Sequence, residues 1–498
     1  MKNFFSSHPR PIALSVKAAV AIILTFTLWR IVLLWVNQTD LFVDEAQYWL
    51  WGQNPDFGYY SKPPMIGWII RLSNMIGHSD STFWVRLPAP LFHMATALLM
   101  IPLAARTIGR DAAPWAGVTF VTLPAVSLSS VLMSTDTIQL TFLTVAIMLF
   151  VRLTKGASAL AAIGLGLSLG LAFMTKYSVL FLLPGVFIAM LTIRSARISW
   201  RDTGIAAVIG GIVVAPNLWW NVTHGAVTVR HTESIANWNV GTHKAHLDIL
   251  DGPGFLAAQF GVVGPIVFAM ILWAGWRMIR GRSGDREKLL VWLSLPCILL
   301  ITVQAIFGDA NANWGVPAYV AGTVLACGVM MILPWWVLRT SLVINAVVAV
   351  VIPLLTVFAY ALKLPNGDLV MKRYVGRAAV SEFIAETAKK EKIGVIVAGD
   401  RGMLADLFYT LRGRPLTIYA KPRDGFPESY YEQTFSMPEA IGGPVLYASL
   451  AVATCEGVPA EVVGRWAVPY GYRRGQTVYV QKMTPNCLVP ATQAVAMK

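Results

Sequence analysis

Residues 18–49 read AAVAIILTFTLWRIVLLWVNQTDLFVDEAQYW. The run 18–36 carries one charge, Arg30, and approaches the roughly 20 apolar residues that a helix needs to cross a bilayer. It opens into a polar segment holding the acid pair Asp44-Glu45 and then aromatic residues. The pattern recurs along the chain. Of the 498 residues 56% are hydrophobic and 13% charged, about half the charge of a soluble domain. That composition excludes an ordinary cytosolic enzyme, a disordered chain and a collagen-like repeat. The net charge of +14 falls in short clusters between apolar runs, so it reports topology rather than nucleic-acid binding.

Eleven apolar stretches are expected to span, at 18–36, 87–105, 114–131, 137–152, 159–174, 178–193, 204–220, 256–276, 289–306, 316–333 and 341–362. The first has no small-residue cleavage site and reads as a retained signal anchor. Alternate connecting loops hold 16 Lys and Arg in 61 positions, against 6 in 102 for the other set. The positive-inside rule then predicts a cytoplasmic N-terminus and, with an odd number of spans, a periplasmic tail. Acids sort the other way, ten in the outer loops against four in the inner ones, which directs any chemistry outward. The expected architecture is a polytopic α-helical membrane protein of about eleven transmembrane helices, residues 1–362, followed by a soluble α/β domain, 363–498.

Two outer loops are long. In 37–86, Tyr48, Trp49, Trp51, Phe57, Tyr59 and Tyr60 lead through Lys62-Pro63-Pro64 to the apolar run 65–76. This predicts helices lying at the membrane surface. The Gly-, His- and Asn-rich loop 221–255 has the composition of a substrate-covering segment. In the tail, helical patterns at 378–392 and 401–412 alternate with strand-like runs at 393–398, 416–420, 445–450 and 477–482, the order of a small α/β domain. Four cysteines without C-x-x-C spacing make no zinc motif. Cys455 and Cys487 can pair if the tail faces an oxidising compartment.

Several residues could carry chemistry. Asp44-Glu45 lies at the membrane edge, where an unpartnered carboxylate is costly, and the mutual repulsion of two adjacent acids suits one of them to taking a proton. A solvated loop pair is the plain alternative. Asp136 precedes the span that begins at 137 and can cap that helix, serve a reaction, or do both. Lys176 stands on the outer side, where the charge rule disfavours it. It can snorkel to the interface or hold a lipid phosphate, and Lys62 and Arg86 are similarly placed. Acids and cations converging on one outer cleft would suit a reaction in which a hydroxyl attacks and a phosphate leaves. His224, His231, His243 and His246 match no common metal spacing. A divalent cation on the aspartates stays open, needing water or substrate to complete its shell.

These residues sit in Asp44-Glu45-Ala46-Gln47-Tyr48-Trp49, Gly58-Tyr59-Tyr60-Ser61-Lys62-Pro63-Pro64, Val85-Arg86-Leu87-Pro88, Ser134-Thr135-Asp136, Thr175-Lys176-Tyr177-Ser178, Asn217-Leu218-Trp219-Trp220-Asn221 with His224, and Asn313-Trp314. In order and spacing they resemble the bacterial membrane glycosyltransferases related to protein O-mannosyltransferase and lipid A aminoarabinose transferase, which share the GT-C fold. The resemblance implies an inverting transfer at the periplasmic face of the bacterial inner membrane, from a polyprenyl-phosphate-linked sugar to lipid A, lipopolysaccharide core or another envelope acceptor. A monomer without a nucleic-acid partner is expected. By the same resemblance Asp44 is the base, beside Glu45. Asp136 positions base or acceptor, and Lys62, Lys176 and Arg86 hold donor phosphate. Tyr59, Tyr60, Trp220, Asn221, His224, Asn313 and Trp314 contact substrate. Aminoarabinose transferases carry an Arg where this chain has Gln47, and the surrounding run is closer to galacturonic acid transferases. A transporter or flippase would instead show charges strung along its spans and related halves, and neither pattern is present. A structural subunit is the third option.

Overall fold

The computed structural model describes residues 13–236, 248–455 and 457–489. The chain divides into two compact units. One holds the chain up to Trp35, Lys62–Ile69 and Arg86–Pro353; the other holds Val36–Ser61, Ile70–Val85 and the chain from Leu354. Sequence placed the boundary at 362. The structure divides at Pro353 and Leu354 and groups most of the first outer loop with the tail.

The first unit is helical, because a backbone in hydrocarbon must satisfy its polar groups within itself. Among the described residues six helical stretches are long and apolar enough to cross a membrane: Val16–Trp35, Thr82–Thr107, Thr135–Leu153, Trp200–Thr223, Asp285–Phe307 and Trp335–Val357. Ala159–Phe173, Tyr177–Thr192 and Pro265–Ile279 are apolar but shorter. The protein is thus a membrane protein with several apolar helices.

Some stretches expected as single rods are broken. The stretch 256–276 divides between Asp251–Val262 and Pro265–Ile279. At the break Gly264 has φ of +91°, and a Cβ there would lie 2.1 Å from the Asn345 amide oxygen. Conformation and space both demand glycine. Asn345 Nδ2 donates to Val263 O at 3.3 Å, partnering a carbonyl beside the break. The stretch 114–131 breaks at Leu123, where Pro124 starts a short second helix. Arg30, fully buried, donates from Nη2 to Val121 O at 2.6 Å. This one charge inside the first span therefore partners a carbonyl at the end of a broken helix.

Packing between helices uses small residues, as is usual in lipid. A Cβ on Gly166 would lie 2.5 Å from Ala206 O, and one on Gly170 would lie 2.7 Å from Val213. Their absence lets Ala159–Phe173 lie directly on Trp200–Thr223. The loop 221–255 is partly helical, at Val227–Ile235, while 237–247, with His243 and His246, lies outside the described residues.

In the second unit five strands form one mixed sheet: β1 Val395–Ala398, β2 Thr417–Ala420, β3 Val445–Ser449, β4 Glu461–Ala467 and β5 Thr477–Met483. The order is β2-β1-β3-β5-β4. β1 pairs in parallel with β2 and β3, the β1-to-β2 crossover being helix Arg401–Thr410, as parallel strands require. The β4–β5 pair is antiparallel with a register shift at Val462 to Gly464. β4 escaped the sequence reading because its burial does not alternate cleanly.

The first outer loop contributes helix Val43–Gln53. Its lead-in is tied to the tail by Asp40, whose carboxylate accepts the N–H groups of Arg377 at 2.8 Å and Ala378 at 3.4 Å. These are the first amides of helix Arg377–Glu391, where a negative charge is favourable. Arg377 itself is buried and donates to both Asp406 oxygens at 3.2 Å.

Cys455 and Cys487 form a disulfide across 32 residues. Such a loop restricts the unfolded chain by about 4 kcal/mol in the chain-entropy account. Cys297 and Cys327 are free and buried. Alkylation in denaturant should therefore modify two of the four cysteines without reductant and all four with it. Four modified without reductant would contradict the pairing.

Candidate active site

Two clusters bring together residues that the sequence singled out, one in each unit. In the second unit, helix Val43–Gln53 starts with Asp44 and Glu45 in its first turn, where acids complement the helix dipole. The two acids have different tasks. Glu45 is buried, and its Oε2 accepts the Phe42 N–H at 2.9 Å, reaching back as a capping residue does. Asp44 points outward, its side chain 44% exposed, and its Oδ1 receives Arg401 Nη2 at 2.5 Å. Arg401 also donates from Nε to Gln47 Oε1 at 2.9 Å. Desolvation would lower the Arg401 pKa, but the charge and hydrogen bond of Asp44, with Tyr431 and Tyr48 nearby, together raise it.

Sequence reasoning missed Arg401, which follows Asp44 by 357 positions. The available signal was Gln47: a neutral residue where the resemblance to aminoarabinose transferases implied an Arg leaves room for a cation from elsewhere.

In the first unit the cluster is Asp136, Lys176 and Asn313. The N-cap of helix Thr135–Leu153 is Ser134, whose Oγ accepts the Asp136 N–H at 3.3 Å. That corrects the reading of Asp136 as the cap. Its carboxylate is free for other partners: Lys176 Nζ lies 2.6 Å from Oδ1, and Asn313 Nδ2 donates to Oδ2 at 2.8 Å. Lys176 occupies an extended residue between helix Ala159–Phe173 and the 3-10 turn Tyr177–Leu182. Gln139, one turn beyond Asp136, pins that turn. Its Nε2 donates to Lys176 O at 2.6 Å and its Oε1 accepts from Ser178 Oγ at 2.9 Å. Both charged side chains are at most a tenth exposed, so Lys176 does not snorkel.

Other expected contacts have structural occupations. Tyr59 stacks on Trp51 with centroids 4.6 Å apart, and its hydroxyl lies 2.8 Å from the carbonyls of Trp51 and Asn54. Tyr60 donates to Pro427 O at 3.0 Å, and burial pushes its hydroxyl up to about 12, so it remains a donor. Trp220 stacks on His224 at 4.2 Å. Asn221 Nδ2 donates to Tyr177 Oη at 3.2 Å, and that hydroxyl donates to Asn217 at 2.8 Å. Trp314 packs on the apolar core. Arg86 is buried and Lys62 half-buried. Among the described residues no three His, Cys, Asp or Glu side chains gather, and both Asp136 oxygens already have partners. This donor set does not fit the divalent cation considered from the sequence.

Residues 61–220 match the family of dolichyl-phosphate-mannose-protein mannosyltransferases. The lipid A galacturonosyltransferase RgtD of Rhizobium johnstonii is 49% identical over 478 residues, which cover 96% of this chain and all of that protein. The chain belongs to this glycosyltransferase family. A second relative, a polyprenol-phosphate-mannose-dependent mannosyltransferase of Mycolicibacterium smegmatis, is 28% identical over 170 residues, 32% of this chain and 37% of that one. The fold is that of ArnT from Cupriavidus metallidurans, crystallised with undecaprenyl phosphate. The TM-score is 0.63 at 15% identity, over 96% of this chain and all of ArnT. The family and GT-C fold that the motifs implied are thereby established, and the glycosyltransferase is an enzyme of the membrane.

The buried pair in this glycosyltransferase has a measurable consequence. Lys176→Met leaves the buried Asp136 carboxylate with only neutral donors, Asn313 and the Ser134 hydroxyl, at a cost of about 3–5 kcal/mol. Adding Asp136→Asn should recover part of that loss in thermal unfolding of detergent-purified protein. A single variant as stable as wild type would contradict the pairing.

Proposed function

We propose that this enzyme transfers a galacturonosyl residue from a polyprenyl-phosphate donor to lipid A, with inversion, at the periplasmic face of the inner membrane. The observation that carries the reading is the 49% identity to a lipid A galacturonosyltransferase along that protein's whole length. Such identity extends well beyond the motifs common to the superfamily.

In this reading an acceptor hydroxyl gives its proton to Asp44, and its oxygen bonds to the anomeric carbon. The bond from that carbon to the phosphate oxygen breaks on the opposite face, and polyprenyl phosphate departs with the additional negative charge. Lys62, Lys176 and Arg86 hold that phosphate, and cations placed where charge develops lower the barrier. A phosphate already leaves readily, so no strong general acid is needed. Glu45 fixes the helix that carries Asp44, while Asp136, itself held by Asn313, holds the ammonium of Lys176. Tyr59, Tyr60, Trp220, Asn221 and His224 shape the walls that meet substrate.

The membrane arrangement follows the charge pattern: eleven crossings, the N-terminus in the cytoplasm, and the α/β tail of 363–498 in the periplasm, in a monomer. The Cys455–Cys487 disulfide supports the periplasmic placement, because such bonds persist in oxidising compartments.

Enzyme in proteoliposomes, given polyprenyl-phosphate galacturonate and lipid A, should form galacturonosylated lipid A. Asp44→Asn should lower kcat by roughly 10²- to 10⁴-fold, the usual contribution of a general base, with donor KM changed far less. Transfer at the wild-type rate by that variant would remove Asp44 from the mechanism.

A further inference from the structure

The Arg401 guanidinium is held on two edges and open on the third. Its backbone is fixed: Asp400, following β1 and Gly399, accepts the Met403 N–H at 2.7 Å as the cap of helix Arg401–Thr410 and is paired with Arg473. Gln47 is buried and also lies 3.4 Å from Ser61 Oγ, so its amide oxygen is a fixed acceptor for Arg401 Nε. Asp44 and Gln47, three residues apart, share one face of their helix. Nη1 has no hydrogen-bond partner among the described residues, and the side chain is 43% exposed.

While Arg401 Nη2 donates to Asp44 Oδ1 at 2.5 Å, that oxygen is already occupied and not open to an acceptor hydroxyl. The Asp44–Arg401 contact therefore opposes the chemistry unless the guanidinium is drawn elsewhere when substrate is bound. Both side chains are more than two-fifths exposed, and exposed pairs are worth about 0–1 kcal/mol. Another anion can thus compete for the arginine. A planar guanidinium with a free edge matches a carboxylate in two-pronged fashion, which an ammonium cannot do.

We infer that Arg401 reads a carboxylate on the sugar being transferred, and that this engagement frees Asp44 to act as base. Without substrate, Arg401 holds Asp44. When a uronosyl donor binds, its carboxylate takes the guanidinium, Gln47 keeps the Nε edge in place, and Asp44 is released to the acceptor hydroxyl. A neutral hexosyl donor leaves Asp44 paired and is a slow substrate. Arg401 is thus a specificity residue and Gln47 a positioning residue. The inference rests on the galacturonosyl reading and deepens it.

The donor phosphate is the other anion that could engage Arg401. It is present in uronosyl and hexosyl donors alike, so the two sources separate in one experiment: kcat/KM of the full-length enzyme in proteoliposomes, with lipid A as acceptor, for polyprenyl-phosphate galacturonate and polyprenyl-phosphate galactose. Wild type should favour the uronosyl donor. R401Q should reduce that preference by roughly tenfold to a hundredfold, the range expected for losing one charge-assisted hydrogen-bonded contact. Should R401Q fail to fold, R401K carries the test: it keeps the charge but not the fork, and should also lower the ratio. Activity lost equally toward both donors, with the ratio unchanged in the folded variant, overturns the inference while leaving the galacturonosyl reading intact. Absence of uronosyl transfer by wild type overturns both.

Discussion

A charge withdrawn from water must find its counterpart inside the protein, and in this chain the 2.6 Å contact between Lys176 and Asp136 is where that constraint organises most structure. Asp136 belongs to the start of one helix and Lys176 to the turn after another, while Asn313, the third partner, belongs to a 3-10 turn. Gln139 and Ser178 then fix the turn that presents the lysine. Three stretches far apart in sequence are thus held at one place by groups that cannot be left alone in low dielectric. Arg30 obeys the same rule at the broken end of a helix.

The second unit solves a different problem. It builds the first outer loop into a sheet-containing body, using contacts between residues more than 300 positions apart: Asp40 on the amides of Arg377 and Ala378, Tyr60 on Pro427 O, and Arg401 on Gln47 and Asp44. The carboxylate proposed as base thereby rests on a helix whose start is capped by Glu45 and whose outward face meets a tail arginine. A reacting group held by fixed neighbours does not have to be oriented during the reaction.

The helices of the first unit were legible because apolar length and loop charge are properties of short windows. Their breaks were less so: Gly264 and Pro124 are visible as residues, but what makes glycine obligatory at 264 is Asn345, 81 positions on. Asp44 was legible as a carboxylate at the membrane edge, Asp136 as an acid in a short turn between spans and Lys176 as a cation on the side the charge rule disfavours, while Asn313 entered through the family resemblance. Their partners were not. Arg401 looks like one of many tail cations until its helix is placed, and Ser134 displaced Asp136 as the cap because both are good caps two positions apart. Tyr59 and Trp220 drew notice as aromatics near the membrane edge; stacking on Trp51 and His224 depends on local turns that pattern alone does not specify. β4 was missed because its residues do not alternate between buried and exposed.

The enzyme's product can be weighed. Mass spectrometry of lipid A, lipopolysaccharide core and envelope proteins from cells with and without this gene tests the proposed transfer most directly. Lipid A alone should lose the mass of one hexuronosyl residue when the gene is removed and regain it on complementation. Unchanged lipid A, or a mass lost instead from core or from protein, would contradict it.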